Sequence, residues 1–268
     1  MPHTQTYHKL LVSILKGGTT TNDRTGVGTT ALFGRMLKFD LQKGFPLITT
    51  RKINYRAVFD EFVWMVGRGQ TDLKFLHDRG HTFWDEWAKS DGTIGKGYGY
   101  QFRRAYPNVD QVRQLIWDLK KNPNSRRHIV TTWNPLELPE MALPPCHGLI
   151  VQANVRGKYL DLAMYQRSAD AFLGLSWNIP FYALFCHVLA HLTGYQVGEL
   201  TIMLGDVHIY NNHIEAVERL LSRNPRTLKC PELTITCDPA TDINDVDTQH
   251  FNLTNYASMG SITAPVAV

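Results

Sequence analysis

The chain has few cysteines and little charge for its length. Four cysteines occur in 268 residues, with no CxxC pair, so neither a disulfide framework nor a zinc knuckle is favoured. Charged residues make up 19% of the chain and the formal net charge is +4, which by itself is too small to indicate a nucleic-acid binder. Internal repeats and low-complexity tracts are absent from the sequence. These features favour an ordinary globular protein, and nothing requires more than one domain over residues 1–268.

Sequence signals for secretion and membrane insertion are also missing. The start, Met1-Pro2-His3-Thr4-Gln5, lacks the basic and then apolar order of a signal peptide. The most apolar run, residues 173–192, is wrong for a membrane span because it is interrupted by two histidines and by Ser176, Asn178 and Pro180. We therefore expect a cytoplasmic protein in which this run forms a buried helix.

Apolar periodicity predicts an α+β fold. Helical spacing marks segments near residues 7–14, 55–66, 112–119 and 212–222, and strand-like segments lie near 30–40, 128–133, 149–155, 159–165 and 199–210. The order of these segments shows no regular βαβ alternation. We expect a single domain with a large mixed or antiparallel sheet and packed helices.

The most informative cysteine is Cys146, in the proline-stiffened turn Pro144-Pro145-Cys146-His147. Two predicted strands follow, and the turn at residues 156–158 is expected to return Arg167 to the side of Cys146. A thiolate is the reactive form of cysteine and a nearby guanidinium favours it, so Cys146 is a candidate nucleophile. A buried and inert cysteine is the alternative.

A carboxylate stands on an apolar helix face. Glu61 shares its predicted stripe with Ala57, Trp64 and Met65. Desolvation of this group is expected to raise its pKa toward the range that is useful for general acid and base chemistry. The alternative is a glutamate that reaches solvent or pairs with an arginine.

Other segments suit the binding of an anionic, planar ligand. Arg24 stands on a glycine-containing loop, and Arg126 and Arg127 are adjacent in a turn, so both places suit phosphate; solvated arginines are the alternative. Aromatic residues are dense at 83–87 and 98–102 and are suited to stack on a heterocycle, although such clusters commonly form core. Asn178, just before Ile179 and Pro180, is either a helix cap or a ligand-recognising amide.

Ten short motifs occur in order along essentially the whole chain. They are NDRTG at 22–26, GFPLITT at 44–50, WDEW at 84–87, NSRR at 124–127, PCH at 145–147, YQRS at 165–168, FLGL at 172–175, GD at 205–206, HIY at 208–210 and APVAV at 264–268. Through these motifs the chain resembles the thymidylate synthase family, which also includes pyrimidine hydroxymethylases.

The resemblance implies the reductive methylation of dUMP to dTMP, with 5,10-methylenetetrahydrofolate as cosubstrate and without a metal. It implies that Cys146 attacks C6 of the pyrimidine and that Glu61 acts as acid and base through ordered water, while Tyr98 assists near the thiol. The implied catalytic residues are Cys146, Glu61, Tyr98, Arg167, Asp170 and Asn178.

The resemblance also implies two binding sites and a homodimer. The phosphate would be held by arginines of two subunits, with Arg126 and Arg127 donated across the interface. The implied substrate-binding residues are Arg24, Arg126, Arg127, Arg167, Ser168, Asp170, Asn178, His208 and Tyr210, of which His208 and Tyr210 would bind the sugar hydroxyl. The implied folate-binding residues are Trp84, Trp87, Asp170, Gly174, Trp177 and Val268.

Several positions depart from the family pattern. Ser176, Trp177 and Pro180 stand where proline, phenylalanine and alanine are usual, and a smaller aliphatic is usual at Phe83; Lys96, Gly97 and Phe102 differ as well. Bulky changes beside a folate pocket affect water access, so hydroxymethylation of dUMP with release of tetrahydrofolate is the alternative activity, and neutral repacking is the other explanation.

The residue at 178 bears on the base. The amide of Asn178 favours uracil because it matches N3 and O4, whereas dCMP-specific relatives carry aspartate there. A nucleic-acid-binding module is less favoured because the set of motif residues is complete. A cysteine hydrolase is less favoured because it needs a histidine base oriented at the thiol, and His147, next to Cys146 in sequence, is poorly placed for that.

Overall fold

The computed structural model describes residues 3–22, 25–225 and 227–266. Two residues with expected roles, Arg24 in the phosphate site and Val268 in the folate site, lie outside these ranges. Their roles therefore stay predictions.

A mixed sheet of six strands organises the described part of the chain. The strands are β1 (Thr19–Thr21), β2 (Thr29–Asp40), β3 (Ile129–Thr131), β4 (Ile150–Arg156), β5 (Tyr159–Asp170) and β6 (Gln196–Tyr210), in the order β1-β2-β6-β5-β4-β3. Neighbours are antiparallel except for β5 and β6, which are parallel. Two further strands, β7 (Glu232–Ile235) and β8 (Phe251–Thr254), form a separate antiparallel pair.

Seven α-helices accompany the sheet in the described residues. They are α1 (His3–Gly17), α2 (Tyr55–Phe62), α3 (Lys74–His77), α4 (Tyr98–Arg103), α5 (Gln111–Lys121), α6 (Gly174–Thr193) and α7 (Ile214–Leu221). The predicted α+β class is therefore confirmed. No helix in the described ranges is long and apolar enough to cross a membrane.

The two faces of the sheet differ in burial. Strand register aligns a row of buried residues, Leu37, Ile202, Met164 and Val151, across β2, β6, β5 and β4. One position along each strand, the opposite phase aligns Met36, Met203, Tyr165 and Ile150. Because successive side chains of a strand point to opposite faces, the first row belongs to the core and the second to the outer face.

Helix α6 lies at the centre of the core and connects β5 to β6. Its residues are apolar on all sides and most are buried, as expected for a helix enclosed by other elements. It ends at Gly194, whose φ of 79° is the left-handed conformation that glycine adopts easily. The predicted buried helix is confirmed, but the alternative of Asn178 as a helix cap is wrong, because α6 begins four residues earlier at Gly174.

Helix α2 packs against α6 and carries Glu61. The side chain of Asn54 accepts a hydrogen bond from the N–H of Ala57 and so caps its first turn. The helix continues as a π-helical turn, Val63–Gly67, a distortion that is frequent at functional sites. Edge-to-face packing of Phe62 on Phe181, with centroids 5.7 Å apart, fixes the helices against each other.

Strand β5 is longer than predicted. The sequence places its end near Tyr165, where pairing with β4 stops at Ile150. Residues 166–170 continue as strand because they pair with β6 on the other side. Arg167, Ser168 and Asp170 are therefore strand residues, held by the parallel register between β5 and β6.

Candidate active site

Cys146 is held in its turn by Tyr98 and Arg167. The N–H of Cys146 donates to Tyr98 Oη at 2.7 Å, and Arg167 Nε donates to the carbonyl oxygen of Pro145 at 2.8 Å. Arg167 Nη2 lies 3.6 Å from Cys146 Sγ. Cys146 is partly exposed, so the alternative of a buried cysteine is wrong. A thiol and a cation thus lie side by side at a partly exposed position.

A buried chain of rings supports the Cys146 turn. The ring of Tyr98 stacks on His147 at 4.6 Å, and His147 Nδ1 lies 2.7 Å from Tyr182 Oη. Burial lowers the pKa of His147 to about 3, so this imidazole is neutral and a poor base. Burial also raises the pKa of Tyr98 well above its usual value, with the charge of Cys146 as a smaller cause. The base that a cysteine hydrolase requires is therefore not supplied by His147.

Glu61 is buried between two indoles. Its Oε1 accepts a hydrogen bond from Trp84 Nε1 and its Oε2 accepts one from Trp177 Nε1, both at 2.7 Å. Burial raises the pKa of Glu61 to about 7, although the bonds from Trp177 and Trp84 act in the opposite direction. The alternative of a solvent-reaching or arginine-paired glutamate is wrong. A carboxyl group with this pKa suits acid and base chemistry near neutral pH.

The ends of β5 and β6 bring several predicted residues together. Ser168 pairs with Asp206 and Asp170 pairs with His208 in the parallel register. His208 Nδ1 lies 2.6 Å from Asp206 Oδ1, and the His208 ring lies 5.0 Å from that of Tyr210. Because the strands run in the same direction, these side chains meet at one edge of the sheet, next to Arg167.

Asp170 joins this edge to helix α6 and to the C-terminal segment. Its Oδ1 accepts hydrogen bonds from the N–H groups of Phe172 at 2.9 Å and Leu173 at 3.1 Å. His213 Nδ1 lies 3.6 Å from the same oxygen, an ion-pair separation, and His213 Nε2 lies 2.7 Å from the Pro265 carbonyl oxygen. Burial acts to lower the pKa of His213, but Asp170 and the Pro265 carbonyl raise it above its usual value.

Asn178 lies in the second turn of α6 and faces β5. Its Oδ1 accepts a hydrogen bond from Gln166 Nε2 at 3.0 Å, and Gln166 also donates to the Ser168 carbonyl oxygen at 3.1 Å. Gln166 had no predicted role. A signal was present, because Gln166 continues the inward phase of Leu160, Leu162 and Met164 along β5. A buried polar side chain at such a position has a specific partner.

Aromatic rings form one wall beside Glu61. The rings of Trp84 and Trp87 are 5.4 Å apart, and those of Phe83 and Trp177 are 5.1 Å apart. Gly174 begins α6 beside Asp170, and a Cβ there would lie 3.7 Å from the Asp170 Cβ. The structure thus brings the predicted tryptophans, glycine and carboxylate to the same region as the buried glutamate.

Arg126 and Arg127 are not brought to Cys146 within one subunit. Both are exposed and precede β3, whose first residue pairs with Gln152 and whose last residue pairs with Ile150. Cys146 lies just before Ile150 in the chain. The two arginines are therefore at the far end of β3 from the thiol.

The departures from the family pattern have local partners. Ser176 Oγ accepts a hydrogen bond from the Arg51 guanidinium and donates one to the Phe172 carbonyl oxygen at 2.9 Å. Lys96 Nζ pairs with Glu137 at 3.0 Å and with Glu140 at 2.9 Å. Phe102 is buried, with its ring 6.2 Å from that of Phe185. These substitutions are accommodated by hydrogen bonds, ion pairs and core packing.

The fold and the site define an α+β protein in which a thiol and a guanidinium lie side by side, and a buried carboxyl group is hydrogen-bonded to two indoles. A family model described as thymidylate synthase matches residues 5–268. Curated thymidylate synthases from the Dugway 5J108-111, RSA 331 and RSA 493 strains of Coxiella burnetii are 45% identical to it over 266 residues, covering 98% of this chain and 99% of theirs. The chain belongs to the thymidylate synthase family.

Proposed function

We propose that this chain is a thymidylate synthase that forms dTMP from dUMP and 5,10-methylenetetrahydrofolate, with residues 1–268 as one catalytic domain. Relatives of that name, aligned across almost the whole chain at 45% identity, support the proposal. The observation that carries it is the 3.6 Å contact of Arg167 Nη2 with Cys146 Sγ. For soluble substrates of this kind we propose a cytoplasmic location.

The first chemical step belongs to Cys146. Its thiolate forms a bond to C6 of the uracil ring, and the electron pair of the C5–C6 double bond moves toward C5 and O4, which makes C5 nucleophilic. The guanidinium of Arg167 stabilises the thiolate before attack. The hydrogen bond from the Cys146 N–H to Tyr98 keeps the turn, and with it the sulfur, in position.

Proton transfers belong to Glu61. After C5 takes the one-carbon unit, its proton must leave before the bond between C6 and sulfur breaks and frees Cys146. Because the pKa of Glu61 is raised by burial to about 7, both protonation states are populated near neutral pH, and the group can accept and return protons through water. The folate supplies the one-carbon unit and the hydride that reduces it to a methyl group.

The nucleotide is held along the edge of β5 and β6. Arg24, Arg167 and Ser168 bind the phosphate, and His208 and Tyr210 bind the sugar hydroxyl. Asn178 recognises uracil, and its hydrogen bond to Gln166 fixes the amide for that purpose. The shared register of Ser168, Asp170 and His208 supports this arrangement.

The folate lies against the aromatic wall. A planar pterin fits beside indole rings, and Trp84 is buried while Trp87 is partly exposed, so the wall has an accessible side. Asp170 contributes to catalysis and to both binding sites, and it binds the pterin as a hydrogen-bond acceptor. The other residues on this side are Gly174, Trp177 and Val268.

A second copy of the chain completes the site. The outer row of the sheet exposes Met36 by 57%, Met203 by 40% and Ile150 by 49%. A row of exposed apolar side chains across a sheet face is typical of an interface. We propose a homodimer through this face, in which Arg126 and Arg127 reach the phosphate bound by the partner subunit. This explains why both arginines lie far from Cys146 of their own subunit.

The decisive experiment is mass analysis of the nucleotide formed from dUMP and methylenetetrahydrofolate, with absorbance followed for dihydrofolate. We expect a methylated nucleotide and one dihydrofolate for each turnover. A hydroxymethylated product together with tetrahydrofolate would overturn the proposal, and so would the absence of any product from folded, dimeric protein.

A further inference from the structure

The side chain of Trp177 is bonded to the buried carboxylate. Trp177 Nε1 donates to Glu61 Oε2 at 2.7 Å, while Trp84 Nε1 donates to Oε1. Each carboxylate oxygen therefore has its own indole donor. Trp177 stands where the resemblance leads us to expect phenylalanine, and a phenyl ring has no hydrogen to donate.

The ring of Trp177 is itself held in place. It packs on Phe83 with centroids 5.1 Å apart, and Phe83 lies 5.6 Å from the ring of His81. His81 Nε2 lies 2.9 Å from Asp60 Oδ2, next to Glu61 on α2. The two aromatic departures, Phe83 and Trp177, thus form one packed pair that aims an indole N–H at Glu61.

Three titratable groups around Glu61, namely Tyr98, His147 and Tyr182, are uncharged, so they affect the ionisation of Glu61 little compared with the hydrogen bond from Trp177. Tyr182, on α6, is a very weak acid. Burial raises the pKa of Tyr182 well above its usual value, and the charges of Tyr98 and Glu61 are smaller causes in the same direction. From α4, Tyr98 is likewise a very weak acid because it is buried. His147, stacked on Tyr98, is neutral because burial lowers its pKa to about 3.

The charged groups nearby are directed to other partners. On α2, Asp60 pairs with His81, with Arg79 Nε at 3.0 Å and with the Thr248 hydroxyl at 2.6 Å. Arg167, on β5, is bonded to the turn of Cys146. The hydrogen bonds made by Glu61 in the described residues thus come from two neutral indoles.

We propose that Trp177 is a positioning residue for the reaction proposed above, on which this inference rests: its indole N–H fixes the orientation of the Glu61 carboxylate and favours the ionised form. Burial disfavours a charged carboxylate, and a donor aimed at one oxygen opposes that effect. With both oxygens bonded, the carboxylate keeps one rotamer. The charged state needed to accept a proton is then present at neutral pH.

The test is a direct titration of Glu61 by NMR in protein carrying ¹³C at the glutamate carboxyl carbon, with the signal assigned by its loss in Glu61→Gln. Replacing Trp177 by Phe keeps an aromatic ring but removes the donor. We expect the Glu61 midpoint to rise by about one pH unit in Trp177→Phe. Trp87→Phe is the matched control, because Trp87 belongs to the same wall and makes no hydrogen bond to Glu61 in the described residues; its midpoint should equal that of the wild type. A midpoint in Trp177→Phe that stays the same or falls would overturn the proposal.

Wild-type protein provides a second measurement that does not depend on the folding of a variant. In ¹⁵N-labelled protein, the Nε1–H signals of Trp177 and Trp84 should move with the Glu61 midpoint, whereas that of Trp87 should not. A Trp177 signal that ignores this titration would equally overturn the proposal.

A third measurement, of catalytic activity, depends on the proposed function. The acid limb of kcat for dTMP formation should shift upward with the Glu61 midpoint in Trp177→Phe. If wild-type protein makes no dTMP while the carboxyl titration behaves as expected, the proposed function fails and the bond between Trp177 and Glu61 keeps its assigned effect on the carboxylate.

Discussion

At Glu61, the burial that suits the residue to acid and base chemistry also makes the stability of the folded chain depend on pH. Burial raises its pKa from the ordinary 4.5 to about 7. Folded protein therefore binds this proton more tightly than unfolded protein, and the stability gained is fully present below about pH 4.5 and is lost as pH rises through 7.

The sign of this effect can be measured with Glu61→Gln, which does not titrate. The free energy of unfolding of the wild type minus that of the variant should fall by about 3 kcal/mol between pH 4.5 and 8, since one pKa unit corresponds to 1.36 kcal/mol. Urea unfolding followed at several pH values measures the difference. A difference that is constant or grows with pH would contradict the assigned pKa.

Residue types were predictable at the site, but their partners were not. The apolar stripe around Glu61 indicated a buried carboxyl group, and the hairpin indicated that Arg167 would meet Cys146. The bonds from Trp177 to Glu61 and from Gln166 to Asn178 were missed, because each joins residues on different elements. Such pairs depend on how helices and strands pack, and local periodicity carries no information about that.

At the scale of elements, helix α6 also depends on a contact that local sequence does not predict. Its buried character followed from composition, but its start did not, because Pro180 suggested a beginning near residue 179. The first turn instead forms at Gly174, where Arg51 bonds to the Phe172 carbonyl oxygen at 3.0 Å and to Ser176 Oγ. The guanidinium also lies 4.4 Å from the centroid of the Phe172 ring. A side chain from the segment before α2 thus joins the start of α6.

Ser176→Ala tests this junction by removing a buried acceptor from a charged donor. We expect a loss of about 1–3 kcal/mol in the free energy of unfolding, measured by urea denaturation. Ser13→Ala is the matched control: Ser13 Oγ also donates to a carbonyl oxygen of its own helix, Leu10 at 2.7 Å, but within the described residues it bonds to no charged group. Equal losses in the free energy of unfolding for the two substitutions would show that the hydrogen bond between Arg51 and Ser176 adds nothing to stability.

At the scale of the whole molecule, the proposed dimer predicts complementation between subunits. Cys146→Ala and the double variant Arg126→Ala/Arg127→Ala are each expected to be nearly inactive. Mixed after unfolding and refolding, they should form hybrids in which one of the two sites has its own Cys146 and the partner's arginines. Random pairing would restore about one quarter of wild-type dTMP formation, because half of the dimers carry one intact site.

The control for complementation combines two variants whose altered residues belong to the same site and come from the same subunit. Cys146→Ala mixed with Arg167→Ala should stay inactive, because Arg167 contacts Cys146 of its own chain and no hybrid site is complete. Recovery of activity in this control, or its absence in the first mixture although hybrids are detected by native mass spectrometry, would contradict the proposed sharing of arginines.

The order of strands also governs when the sheet can form during synthesis. Strand β2 pairs with β6, so that Asp40 meets Glu199 and Thr29 meets Tyr210. At about 5–20 residues per second, the ribosome takes on the order of ten seconds to add the intervening chain. Throughout that interval the edge of β2 that will pair with β6 has no partner. Closing so long a loop is also intrinsically slow. We therefore expect nascent chains to be most exposed to aggregation just before residues 196–210 emerge, and slower translation there to lengthen this exposure.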